Sequence, residues 1–283
     1  MSEDFLSAMA RSSRARVMQA RALCADHELR ARAEALPPPP RLTLSKQGFD
    51  LIAEVKLRSP AAGKLKDDNE DIAARVAGYA DAGAAAISVL TEPARFDGSL
   101  AHLTQAVQSL AGRLGVMRKD FLVDPYQVYE ARVAGASGVL IILRMLPRDQ
   151  LEALLEAAAQ LGLFTLLEAF DETDLMLAAE LVRAYSGRTA LLVGVNCRDL
   201  ATLEIVPGRL AALAALLPSA APGVAESGVN TPLEAARLAG MGYQLVLVGS
   251  VLMRSDRPFE LARSMLEAGR AAAAPRSVAA VGS

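Results

Sequence analysis

The sequence of 283 residues contains no tryptophan, and only two cysteines and two histidines. Cys24 and Cys197 are too few for a disulfide framework and point to a reducing compartment. His27 and His102 stand far apart and outside any ligand spacing, so no zinc or other metal site is expected. Aromatic residues make up 4% and the net charge is −2, with no basic stripe carrying interleaved aromatics. Nucleic acid is therefore excluded as a partner. Long apolar runs are missing too: "LAALAALL" and "VLIIL" are too short to cross a bilayer, so no membrane partner is expected. The first residues, "MSEDFLSAMARSSRARVMQA", carry early acids and no continuous apolar core, unlike a signal peptide. The expectation is a soluble, cytoplasmic protein that acts on a small molecule.

What is present is aliphatic and repetitive. Residues 5–35 read as helical, rich in Ala and Arg, and "PPPP" at 37–40 ends that segment. Beyond it, "ADAGAAAISVL", "RVAGASGVLIIL" and "RLAGMGYQLVLVG" each close a helix on Ala-Gly and open an aliphatic strand. Gly83 and Gly135 are 52 residues apart, and Gly135 and Gly240 are 105 apart. Both gaps are multiples of a unit of about 26 residues, and each glycine is expected as a helix C-cap. "LIAEVK", "LGVMRK", "LFTLLEA", "ALLVGVN" and "GVAES" bring the strands to eight. Continuous aliphatic strands alternating with helices mean a parallel sheet covered outside, and eight such units match an α/β (β/α)8 TIM barrel. A doubly wound open sheet is the competing architecture. It often carries a G-x-G-x-x-G turn, and none follows a strand here. The expected divisions are a helical extension over 1–45, a barrel over 46–268 and a tail over 269–283.

In a barrel, chemistry sits at the C-terminal strand ends. Those ends read Glu54 and Lys56, Lys119, Glu168, Asn196 and Arg198, Glu226 and Ser227, and Gly249 and Ser250. Glu54 and Lys56 share a face of their strand, because side chains alternate with period two. Burying such charges unpaired is costly, so they are expected to be paired or functional. Any one of these residues also suits an ordinary strand end meeting water. Their common placement around one mouth favours function. The chain has 30 basic residues, yet its lysines are only Lys46, Lys56, Lys64, Lys66 and Lys119. Arginine is effectively never deprotonated, whereas a buried lysine can exchange a proton. Lys56 and Lys119 are thus candidate acids or bases. After the last two strands, Ser227-Gly228 and Gly249-Ser250 lead into helix starts, the first capped by Asn230 or Thr231 with Pro232 in its first turn. Such turns often hold phosphate in barrels.

Together "IAEVK-x-x-SP-x-x-G", "AAISVLTEPARFDGSL", "RKDFLVDPYQVYEAR", "GVN-x-RDL", "AESGV" and "LVGSVLM" resemble the indole-3-glycerol phosphate synthase family, over roughly residues 5–268. The resemblance implies the barrel and an extra N-terminal segment packed over its top. It also implies decarboxylating ring closure of 1-(2-carboxyphenylamino)-1-deoxyribulose 5-phosphate to indole-3-glycerol phosphate, in tryptophan biosynthesis. No metal or organic cofactor is implied. Carried onto matching positions, it implies Lys119 as general acid in ring closure and Glu168 as its acid/base and electrostatic partner. Glu54 and Lys56 become the pair for dehydration, with Lys56 also reaching the phosphate. Asn196, Arg198 and Ser227 become substrate-binding groups, Arg198 toward the carboxylate, and Phe96 a wall of the aromatic pocket. Ser59, Gly228, Gly249 and Ser250 become the phosphate cradle. A monomer or small homo-oligomer is expected.

Three positions depart from the family pattern. Glu168-Ala169-Phe170 stands where Glu-Val-His is usual, Cys197 fills the middle of the usual Asn-Asn-Arg, and Leu57 follows Lys56 where a basic residue is common. None removes a proposed catalytic group. A paralogue serving a specialised pathway stays open. So does another phosphosugar barrel enzyme such as phosphoribosylanthranilate isomerase, although that enzyme's Cys/Asp acid–base pair lacks its Cys on strand one here. A non-catalytic binding barrel would have no need of two proton-active lysines.

Overall fold

A computed structural model describes residues 4–66 and 70–273. Eight parallel strands close a barrel in chain order. They are β1 (Asp50–Val55), β2 (Ala86–Leu90), β3 (Gly115–Lys119), β4 (Gly138–Ile142), β5 (Phe164–Ala169), β6 (Leu191–Asn196), β7 (Gly223–Glu226) and β8 (Leu245–Val248). β1 pairs with both β2 and β8, which closes the ring. Each expected aliphatic run forms its strand, because both faces of every strand are covered. Ile52, Met117, Leu140, Leu166, Leu192 and Leu247 fill the barrel interior. Their strand neighbours Leu51, Val116, Val139, Leu167, Val193 and Val246 face the helices. Full burial of such side chains contributes about 1.5–3 kcal/mol each.

Two N-terminal helices, α1 (Phe5–Leu23) and α2 (Asp26–Glu34), precede the barrel. The outer helices are α3 (Ile72–Asp81), α4 (Leu100–Leu110), α5 (Pro125–Val133), α6 (Arg148–Gln160), α7 (Glu172–Ala184), α8 (Arg209–Leu213), α9 (Pro232–Gly240) and α10 (Pro258–Ala272). Side chains cap several starts: Asp71, Ser99, Asp124, Asp171 and Thr231 each accept a backbone N–H of the following turn. Thr231, rather than Asn230, is the cap of α9, and Glu234 completes a reciprocal capping box. Gly83 and Gly135 end their helices with φ of +97° and +93°. The third glycine expected in that role, Gly240, is still helical, and Gly242 takes the left-handed position at φ +100°.

The N-terminal segment breaks at Cys24–Ala25 instead of forming one helix. The Tyr126 hydroxyl donates to the Cys24 carbonyl (2.9 Å), and Asp26 and Glu28 open the second helix at its positive end. Met9, Ser13 and Val17 are buried at helical spacing along α1. Ser13 donates to the Phe121 carbonyl and accepts from Gln127 (2.8 Å), so a polar pin joins α1 to the segment after β3. At the other end, α10 continues past the expected limit of 268 to Ala272, with Gly269 packed under the Phe49 ring. The rest of the expected tail, from 274 on, lies outside the described residues. Among the described residues no helix is long and apolar enough to cross a membrane.

Candidate active site

A cavity of about 210 Å³ opens at the C-terminal ends of the strands. Every residue singled out in the sequence lines it: Glu54, Lys56, Ser59, Phe96, Lys119, Glu168, Asn196, Arg198, Ser227, Gly228, Gly249 and Ser250. At its floor sit three carboxylates and two ammonium groups. Lys119 Nζ lies 3.2 Å from Glu226 Oε2 and 3.5 Å from Glu168 Oε2. Lys56 Nζ lies 2.6 Å from Glu54 Oε1, pairing the acid and amine that share the β1 end. Asn196 donates its side-chain N–H to Glu168, and its own side-chain oxygen accepts the Arg198 amide (2.9 Å).

The charges set one another's protonation. Burial works to lower the pKa of Lys119, but Glu168, Glu226 and Glu54 outweigh it and hold the value above that of an ordinary lysine. Lys119 is therefore charged at neutral pH. Burial pushes Glu226 up to about 8, against the pull of Lys119 and with Glu168 adding to the rise. Three carboxylates against two ammoniums leave one negative charge in excess, and a proton on Glu226 removes it. Glu226 Oε1 and Glu54 Oε2 are buried with no hydrogen-bond partner among the described residues. These are places where a proton or a substrate group fits.

Two glycines make room for these acids. A Cβ on Gly194 of β6 would stand 2.1 Å from Glu226 Oε1, and one on Gly249 would stand 2.3 Å from Glu54 Oε1. Gly249 thus borders both the carboxylate and the loop after β8. Beside it, after the neighbouring strand β7, Ser227 and Gly228 hold successive left-handed conformations, φ +66° and +71°. The Cys197 thiol donates to the Ser227 carbonyl (3.2 Å), which gives the departure at that position a visible contact. Ser59 is buried in a two-stranded hairpin, Arg58–Ser59 against Gly63–Lys64, on the loop after β1. The Arg198 guanidinium donates to the Leu203 carbonyl of its own loop while lining the cavity.

The structure also brings in residues given no role above. Glu226 was legible as a strand-end acid; its central position between Lys119 and Gly194 was not. Phe5, from α1, meets Phe121 edge-on at 5.8 Å, and Phe121 meets Phe96 at 6.1 Å. All three rings line the cavity. Phe5 had no local signal, since its place depends on how α1 docks.

The indole-3-glycerol phosphate synthase family model matches residues 6–265. The chain belongs to the indole-3-glycerol phosphate synthase family. A family member from Saccharopolyspora erythraea is 42% identical over 88% of this chain and 90% of its own. Another, from Mycolicibacterium smegmatis, is 39% identical over 97% of this chain and 98% of its own. Solved structures of lower identity share the fold. A 3-hexulose-6-phosphate synthase from Salmonella typhimurium superposes with a TM-score of 0.59 at 13% identity, over 79% of this chain and all of that one. Tryptophan synthase from M. tuberculosis gives 0.54 at 17%, over 80% of this chain and 94% of that one. The indole-3-glycerol phosphate synthases are decarboxylating lyases, and this chain carries the family's barrel with its N-terminal helices.

Proposed function

We propose that the mouth cavity converts 1-(2-carboxyphenylamino)-1-deoxyribulose 5-phosphate into indole-3-glycerol phosphate, CO2 and water. The Lys119–Glu168–Glu226 cluster carries this reading: a charged lysine held among buried carboxylates is a proton donor facing the mouth cavity. In the first step the ring carbon bearing the carboxylate attacks the ketone carbon. The ketone oxygen gains negative charge and takes a proton from Lys119, with Glu168 steadying the ammonium. The bond to the carboxylate then breaks. CO2 leaves, and the electron pair of that bond restores the aromatic ring. Last, the new hydroxyl departs as water with one added proton, and the adjacent CH2 loses a proton to complete the indole. Lys56 and Glu54, 2.6 Å apart, serve this step as acid and base. Arg198 with Asn196 holds the carboxylate side, and Phe96 covers the aromatic ring. Ser59, Gly228, Gly249, Ser250 and Lys56 hold the phosphate, and Ser227 orders the turn beside it.

This reading makes the chain a cytoplasmic enzyme, a monomer or small homo-oligomer, with the segment 1–45 serving as a cover for the barrel mouth. The deciding experiment mixes the purified protein with the carboxyphenylamino-deoxyribulose phosphate and follows indole fluorescence. Indole should appear, and should still appear after exhaustive chelation and dialysis. No indole from well-folded protein, or a loss restored by a divalent ion, overturns the reading.

A further inference from the structure

The strand "AISVL" of β2 carries one hydroxyl in an aliphatic run, that of Ser88. Its neighbours Ile87 and Val89 belong to the core under the helices. Ala86 belongs to the barrel interior, and Leu90 lines the mouth. Period two therefore turns Ser88 into the barrel, in the layer just below the mouth. There it is fully buried, and its Oγ has no hydrogen-bond partner among the described residues. An unpaired buried hydroxyl costs free energy, and buried polar groups are almost always satisfied by protein or by an ordered water. The strand register shows what stands within reach. Ser88 pairs on one side with Met117, whose thioether is a weak acceptor, and on the other with Glu54. Glu54 is buried as well. Its Oε1 is held by Lys56 at 2.6 Å, and its Oε2 has no partner among the described residues. Two orphaned oxygens thus belong to side chains in register on adjacent strands, on the same face. Parallel strands run about 4.8 Å apart, and two hydrogen bonds of about 2.8 Å each through one water span such a gap.

We propose that Ser88 is a positioning residue, acting on Glu54 through one buried water that bridges Ser88 Oγ and Glu54 Oε2. Its role rests on the proposed function, in which Glu54 serves the dehydration step. Lys56 fixes one end of the carboxylate, and the bridged Ser88 fixes the other. A carboxylate tied at both oxygens keeps one orientation toward the CH2 that loses its proton. Each carboxylate oxygen carries two lone pairs, so the water leaves one on the cavity side for chemistry. Alanine, as at position 86, would satisfy the packing of this layer; the hydrogen bond is what a serine adds.

The test compares the parent with Ser88→Ala. A crystal structure of the parent should show a water within about 3.2 Å of both Ser88 Oγ and Glu54 Oε2, and the variant should lose it. In a single turnover, CO2 release and indole formation are followed separately, because decarboxylation precedes dehydration. Ser88→Ala should keep CO2 release and KM within about twofold of the parent, and should slow indole formation about tenfold. A merely structural disturbance of the barrel floor would slow both steps alike. The proposal is overturned if the parent holds no such water, if the two steps slow together, or if neither step changes. The crystallographic arm needs no turnover, so it decides the proposal even where no indole forms. A parent that makes indole but lacks the water refutes this proposal alone and leaves the proposed function standing.

Discussion

Lys119 and Asp120 are adjacent in sequence, yet they belong to two buried charge clusters of opposite character. Around Asp120 every carboxylate lone pair is in use. One oxygen accepts from Arg16 (2.7 Å) and from the Phe121 amide (2.8 Å). The other accepts from Arg16 (2.9 Å), Thr91 (2.7 Å) and Arg118 (3.1 Å). Burial opposes this charge, but the arginines and Thr91 hold Asp120 well below the usual carboxylate range. Around Lys119 the charges do not balance, and Glu226 Oε1 and Glu54 Oε2 lack partners among the described residues. The first cluster docks α1 on the barrel through Arg16. The second keeps capacity for a substrate. A buried network that is complete holds structure together; one left incomplete on the cavity side is available for chemistry.

The contrast makes predictions on both sides. The largest effect is expected from Asp120→Ala, which removes one of the two acids paired with the nearly fully buried Arg118, leaving it Glu130, and takes from Arg16 the acid that docks α1. Breaking a buried pair from one side costs about 3–5 kcal/mol, so urea unfolding should register a loss of that size. A loss under about 1 kcal/mol would show that the network contributes little, and the contrast would fail.

Lys119 should behave in the opposite way. Lys119→Arg and Lys119→Met should each lower kcat by on the order of 10²-fold or more, with circular dichroism unchanged. Binding should weaken less than turnover, since the lost interaction belongs mainly to the transition state. If Lys119→Arg keeps most of kcat, Lys119 is an electrostatic anchor and the proton comes from Lys56 or Glu168.

Gly249→Ala is expected to act next most strongly. Its methyl group displaces the Glu54 carboxylate as well as crowding the phosphate turn. Steady-state kinetics should show kcat falling about tenfold, or about 1.4 kcal/mol, together with a raised KM. A change in KM alone would confine Gly249 to phosphate binding.

The smallest effect concerns pH. Glu226 keeps its proton in the folded protein where the unfolded chain has released it. Between the unfolded value of 4.5 and the folded value of about 8, folding takes up a proton. Stability should therefore fall as pH rises through that window, with a slope below the single-group limit of about 1.4 kcal/mol per pH unit. Glu226→Gln should flatten it. An unchanged slope in that variant would place the proton on another group.

The sequence was most legible where physics is local. Barrel strands are buried on both faces, so they read as aliphatic runs, and the polar residues interrupting their ends were visible as exceptions. The helix break at Cys24–Ala25 was not visible, because Tyr126, about a hundred residues away, completes it. Phe5 and Phe121 were missed for the same reason: their meeting is a product of docking. Glu226 was seen without its importance, since nothing in "GVAES" reveals which acid faces Lys119. Thr231 over Asn230 was decided by Glu234, whose carboxylate reaches back to the Asn230 and Thr231 amides.

Gly194 sits inside "LLVGVN", where it reads as an ordinary gap in an aliphatic strand. Its missing side chain is the space in which Glu226 stands. The two positions are therefore a single inherited unit. A lineage that placed even a methyl group at 194 would have to shorten or move the acid at 226, and one that lost the acid would be free to fill the glycine. Among descendants of this barrel, the pair should change together or not at all, and a sequence carrying alanine at 194 beside glutamate at 226 would be the exception that refutes it.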